Sequence, residues 1–213
     1  MNLAEELSLI FLGLTLGAQI LHRRSFWFWR KDTDTGRREI QSQKFSLVTK
    51  IVFWGSVATI FGVLIYWSII QYDLWAGNEL TKTLLPPYQS FTFFYSYVGK
   101  RFFAPWLVSL LGAIFIGGLA HRLNNRFGNR FFEEGETKLL SLGVFLSGYP
   151  GFLIYLVLVF GAGFMGTIIF QLSSKGRFPF YYFWLPLAIV AIIITVWVFP
   201  RFGLTPIIKA FYF

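Results

Sequence analysis

The sequence contains no cysteine, only two histidines and few charged residues. Without cysteine the chain forms no disulfide, offers no thiolate nucleophile and has no Cys-based zinc site. Charged residues make up 14% of the chain, whereas a soluble domain carries about 25%. His22 and His121 lie far apart beside arginines, so we interpret them as interfacial residues and expect neither a metal nor a cofactor. These absences argue against a soluble enzyme, a disulfide-rich secreted domain and a disordered tail.

Long apolar runs account for most of the sequence. Apolar residues make up 55% of the 213 residues, and five spans of roughly 20 residues each fit within that total. The runs lie at about 7–21, 47–72, 105–120, 152–172 and 182–199. We therefore predict an all-α, polytopic helical membrane protein with about 5–7 transmembrane or re-entrant helices. We expect these helices to form a single domain over residues 1–213.

The charges between the runs predict the orientation of the chain. The first run follows Glu5 and Glu6 and ends at 22–24 with basic residues, the reverse of the charge order in a signal peptide. We therefore expect a retained helix whose N-terminus lies outside. Because cytoplasmic loops retain Lys and Arg, segment 22–50, with eight basic residues, is predicted to be a cytoplasmic loop. The net charge of +9 then reflects topology, with the lipid bilayer as partner and no nucleic acid.

Residues 84–98 are harder to interpret. They are aromatic but only weakly apolar, and Pro86 and Pro87 interrupt them. Irregular backbone at membrane depth must be shielded by protein. An outer loop, a re-entrant segment and a weak span all stay open for this region.

Acidic residues are scarce and unevenly placed. Three of the ten acids lie within residues 133–136, just before an apolar run, and Asp73 is the acid closest to an apolar span. Ionisable groups near a membrane are candidates for function. Two carboxyls at one depth can hydrolyse a peptide, because one activates water while the other donates a proton. Alternatively, Glu133, Glu134 and Glu136 stabilise a helix N-terminus and Asp73 is an interfacial anchor.

The acidic stretch 133–140, Glu-Glu-Gly-Glu-Thr-Lys-Leu-Leu, resembles the G-x-G-D-x-K-L-L region of prepilin peptidases, which are intramembrane aspartyl proteases. The similarity continues through 152–170 into Arg-Phe-Pro-Phe at 177–180, and it is best over 105–199. Upstream, Asp73 with Asn-Glu-Leu-Thr at 78–81 is similar to the family's first aspartate and the P-N-x-L-T-like segment that follows it.

The resemblance implies a membrane aspartyl endopeptidase that removes basic leaders from pilin-like precursors at a bacterial or archaeal cytoplasmic membrane. The residues it implies are the catalytic pair Asp73 and Glu136, and the substrate and loop residues Glu133, Glu134, Gly135 and Lys138. The chain departs from the family in two places within the motif. Glu136 stands where the family has aspartate, and Glu133 stands where it has glycine.

The charge pattern conflicts with this catalytic pair unless residues 84–98 cross the membrane. If 22–50 and 121–138 are both cytoplasmic, the two clear spans between them place Asp73 outside and Glu136 inside. A second hypothesis is a non-catalytic multi-helix scaffold, or a subunit of a membrane complex, that binds partners through glycine-containing helix faces. The glycines of those faces are Gly112, Gly117, Gly118, Gly161, Gly163 and Gly166. A transporter or channel is the weakest hypothesis, since the clear spans carry few polar residues.

Overall fold

A computed structural model describes residues 3–28, 35–128, 132, 135–173 and 180–203, and within these residues it is helical and contains no strand. The helices are α1 (Leu3–Phe28), α2 (Thr35–Gly77), α3 (Glu79–Lys82), α4 (Phe91–Val98), α5 (Ala104–Arg126), α6 (Glu136–Leu146), α7 (Gly151–Ser173), α8 (Trp184–Ile193) and α9 (Phe199–Arg201). Two π-helical turns, Gly99–Phe103 and Ile194–Val198, join α4 to α5 and α8 to α9. A 3-10 turn at Phe180–Tyr182 precedes α8.

Five stretches of helix are long and apolar enough to cross a membrane, which confirms the prediction of an all-α polytopic protein. They are Leu3–Leu21, Phe45–Gly77, Phe91–Arg126, Gly151–Ile169 and Trp184–Arg201. Residues 91–98, the second half of the ambiguous region, form α4 and continue through the π-helical turn into α5. They therefore belong to the same crossing as α5 and add no span of their own.

The segment predicted as a cytoplasmic loop, 22–50, is largely helical. The backbone of α1 continues to Phe28, and α2 begins at Thr35, so residues 29–34 alone fall outside the described part of this segment. Arginine, lysine, glutamine and glutamate are good helix formers, and a helix satisfies its own backbone hydrogen bonds beyond the apolar region. The charge pattern therefore predicts the ends of the apolar spans but not the ends of the helices, which extend beyond them.

The short helix α6 is the centre of the bundle. It contacts α1, α2, α5, α7 and α8, and eight of its eleven residues are buried. At about 1.5 Å per residue it is only about 16 Å long, about half the thickness of a bilayer core. A helix that is apolar on all sides must be covered on all sides. The five long helices supply that cover, and α6 enters the bundle without crossing it.

Two glycines allow α6 to lie close to its neighbours. A Cβ at Gly143 would lie 2.5 Å from the hydroxyl oxygen of Tyr155 in α7, and a Cβ at Gly117 in α5 would collide with Ser141. The contact of Gly112 with Phe152 is looser, at 3.6 Å from the position of a Cβ. Gly117, which the sequence placed among the glycines of partner-binding faces, therefore lies at a close contact inside the bundle. Gly118, on the outer face of α5, has nothing within 4 Å of a Cβ position.

The bundle has two ends, which we name by the acids they carry. At the Glu136 end, Gln19 near the end of the first span donates a hydrogen bond to the backbone carbonyl of Tyr181, at 2.6 Å. Phe45 in α2 lies against Tyr181 at the same end, with ring centroids 6.2 Å apart. At the Asp73 end, α2 turns through α3 into α4. A small separate core there consists of Trp75, Leu85, Phe94 and Val98.

Candidate functional site

Glu136 is the first residue of α6 and is buried, with 4% of its surface exposed. It follows Gly135, which has a φ of 92° and forms the N-cap of the helix. Such a left-handed conformation favours glycine, because a Cβ would clash with the backbone. A carboxylate in the first helical turn is stabilised by the positive end of the helix dipole. The position of Glu136 thus fits the helix-stabilising role that the sequence left open.

Side chains from two other helices hold the start of α6 in place. The Lys138 ammonium donates to the backbone carbonyl and the hydroxyl of Ser46 in α2. Asn124 of α5 donates to the carbonyl of Phe132 at 3.1 Å and accepts from its N–H at 2.9 Å. The N-terminus of α6 is therefore fixed between α2 and α5. The remaining predicted loop residues, Glu133 and Glu134, lie outside the described part of the chain.

Asp73 lies at the far end of the same helix that carries Ser46. Its side chain is exposed, one turn before the end of α2 at Gly77. Between Ser46 and Asp73 the helix is uninterrupted, and at about 1.5 Å per residue this length is about 40 Å. Lys138, in the same first turn of α6 as Glu136, contacts Ser46, and Asp73 is about 40 Å further along α2. The two predicted catalytic acids therefore occupy opposite ends of the bundle.

The carboxylate pair predicted from the resemblance is not formed in this structure. Two carboxyls that share a catalytic water must both lie within hydrogen-bond reach of it. The two acids are separated because residues 91–126 make a single crossing. Asp73 lies before this crossing and Glu136 lies after it, so they are at opposite ends of the bundle. This is the topology in which the charge pattern and the catalytic pair conflict.

A polar cleft that the sequence did not indicate lies beyond the other end of α6. It has a volume of about 100 Å³, and Glu5, Arg101, Ser147, Tyr149 and Thr195 are among its lining residues. Both π-helical turns contribute to it, the first with Arg101 and the second with Thr195. Helices with π-helical turns often place them at functional sites.

Sequence reasoning missed this cleft because its residues come from five separate segments and share no motif. The one available signal was the position of Lys100 and Arg101 immediately before an apolar run. The volume of the cleft exceeds the roughly 10–15 Å³ that one buried water needs. Across the described residues there is no group of three or more acids or histidines placed to hold a metal ion.

Comparison with protein-family models, with curated proteins and with solved structures gives no match to this chain. Its function is therefore inferred from the geometry of the bundle.

Proposed function

We propose that this chain is a non-catalytic multi-helix subunit of a membrane complex. The proposal is supported by the distance along α2 between the two ends of the bundle. Ser46, which contacts Lys138 of α6, and Asp73 are separated by about 40 Å of uninterrupted helix. Within the residues that the structure describes, the two acids that the sequence resemblance predicts to be catalytic lie at opposite ends of the bundle and do not form a pair with which to activate water. Its function then lies in the surfaces that it offers to other membrane helices.

One face of α2 is suited to contact with a partner helix. Gly55, Ala58, Thr59 and Gly62 are all exposed, and their spacing places them on one side of the helix. Nothing lies within 4 Å of a Cβ position at Gly55 or Gly62. Small residues at such spacing let two transmembrane helices approach closely. Within this chain the same device is already used at Gly117, where α5 packs against α6.

We infer that the Glu136 end faces the cytoplasm. The segments that connect helices at this end carry eight Lys and Arg within 22–50, four within 121–138 and two within 174–179. The segment between α2 and α5 at the Asp73 end, 73–101, carries three. Cytoplasmic segments retain the excess of basic residues. The α2–α4 hairpin with Asp73 would then face the opposite compartment.

Leader processing tests whether the chain is catalytic. The membrane-embedded protein is incubated with a pilin-like precursor that carries a basic leader, and leader removal is followed by mass spectrometry. We expect no cleavage, and we expect Asp73→Asn and Glu136→Gln to behave like the unaltered chain. Cleavage that either substitution abolishes would overturn the proposal and restore the peptidase hypothesis.

Cysteine cross-linking tests the partner face, since the chain has no cysteine of its own. Gly62→Cys in native membranes is expected to form one cross-linked species of defined mass, and adding Gly55→Leu should abolish it by filling the face. Gly118→Cys, an equally open glycine on α5, serves as the matched control and should not form that species. Equal cross-linking at both positions would contradict a specific face on α2.

A further inference from the structure

A groove between α2, α5 and α6 opens at the Glu136 end of the bundle. Its volume is about 240 Å³, and the residues that line it include Thr49, Lys50, Phe53, Ile114, Lys138 and Ser141. We propose that this groove binds the headgroup of an anionic phospholipid. The proposal holds whether or not the chain is catalytic, because it depends on neither Asp73 nor Glu136.

The groove offers positive charge and few other donors. Lys50 from α2 and Lys138 from α6 are both exposed and line the same groove. The bonds of Lys138 to Ser46 hold that ammonium near the groove, and the third N–H of an ammonium group can still reach a ligand. The hydroxyls of Thr49 and Ser141 each donate to a backbone carbonyl of their own helix, at 3.0 Å. The two ammonium groups are thus the donors for an anion.

The apolar side of the groove favours a lipid over a soluble anion. Phe53, Ala113 and Ile114 line it together with the lysines, and Ile114 is 53% exposed. A free phosphate would leave this apolar surface uncovered, whereas the acyl chain of a phospholipid would cover it. The lysines and the apolar residues therefore match the two parts of one amphipathic ligand.

The position of the groove agrees with this ligand. It lies at the end of the bundle that carries the excess of basic residues, which we infer to be cytoplasmic. The cytoplasmic leaflet is rich in anionic lipids, and basic pockets between transmembrane helices on this side bind their headgroups. Lysines near the membrane surface each strengthen such binding by about fivefold.

Native mass spectrometry of the full chain in detergent, titrated with phosphatidylglycerol, tests the proposal. We expect one retained lipid per chain, bound about fivefold more weakly in Lys50→Gln and about thirtyfold more weakly in Lys50→Gln/Lys138→Gln. The matched control is Lys82→Gln/Lys100→Gln, which removes two exposed lysines at the Asp73 end and should leave binding unchanged. Lys50→Arg/Lys138→Arg should retain binding, because it keeps both charges.

Three results would overturn the proposal. The first is equal affinity for phosphatidylglycerol in the doubly substituted and unaltered chains. The second is binding of phosphatidylcholine as tight as that of phosphatidylglycerol. The third is displacement of the lipid by inorganic phosphate at equal concentration, which would indicate a soluble anion. If Lys50→Gln/Lys138→Gln fails to fold, Lys50→Gln alone decides the question, since it leaves the contact of Lys138 with Ser46 intact. Undiminished binding in that single variant would contradict the proposal equally.

Discussion

The Glu136 end and the Asp73 end of this bundle carry the two acids in opposite environments. Glu136 is buried at the start of the central helix, where Lys138 and Asn124 fix the surrounding backbone. Asp73 is exposed on the α2–α4 hairpin, near a helix C-terminus, where the helix dipole does not favour an acid. The difference indicates that Glu136 belongs to the start of the buried central helix, whereas Asp73 belongs to a peripheral hairpin.

The glycines of α6 and α2 differ in the same way in how closely they are packed. At Gly143 of α6 the space for a side chain is already filled by Tyr155, whereas at Gly55 and Gly62 of α2 it is empty. A covered glycine such as Gly143 lies where two helices of this chain already pack against each other. Open glycines at helical spacing show where it can accept another helix.

The largest effect is expected from filling the covered space at α6. Overpacking a core usually costs about 1–3 kcal/mol. Gly143→Leu should lower the free energy of unfolding by about 3 kcal/mol or more, because the new side chain must displace Tyr155. Thermal unfolding in detergent measures this change. Gly118→Leu is the control and should stay within about 0.5 kcal/mol of the unaltered chain. A neutral Gly143→Leu would show that α6 is not tightly enclosed.

A smaller effect is expected from the support of the α6 N-terminus. Asn124→Ala removes both hydrogen bonds to the backbone of Phe132 and should cost about 2 kcal/mol, at about 1 kcal/mol for each bond. Asn125→Ala, at the neighbouring exposed position, should change the free energy of unfolding by less than about 0.5 kcal/mol. Chemical denaturation compares the pair. Equal losses would mean that the loop before α6 is not held by Asn124.

The smallest effects distinguish the two acids themselves. Glu136→Ala should cost about 1 kcal/mol, because a buried carboxylate at a helix N-terminus is lost. Asp73→Ala should leave the free energy of unfolding unchanged within about 0.5 kcal/mol, since its side chain is exposed. Denaturation of both variants under one set of conditions gives the comparison. A larger loss at Asp73 than at Glu136 would reverse the environments described for the two ends.

The spans could be predicted from the sequence because apolar runs depend on local composition. The run at 105–120, for example, lies within α5, and the run at 152–172 lies within α7. The helical extension at 35–44 was missed, because helix propensity in a charged segment gives no hydropathy signal.

The arrangement of the site depended on features that hydropathy does not encode. Whether Asp73 meets Glu136 depends on how many times the chain crosses between them. That number depended on residues 84–98, which are aromatic and only weakly apolar and could be interpreted in three ways. The central position of α6 was equally hidden, since a buried helix of eleven residues and an interfacial segment look alike in sequence. The polar cleft could not be predicted from the sequence either, because it forms only where separate helices meet.

Accessibility of single cysteines tests the separation of the two ends most directly, because the unaltered chain contributes no background labelling. Asp73→Cys reports on one end, and Lys138→Cys, two residues after the buried Glu136 and itself exposed, reports on the other. A membrane-impermeant maleimide is applied to intact cells and to inverted vesicles. We predict labelling of Asp73→Cys from outside only and of Lys138→Cys from inside only. Labelling of both positions from one side would contradict the separation and reinstate a shared catalytic site.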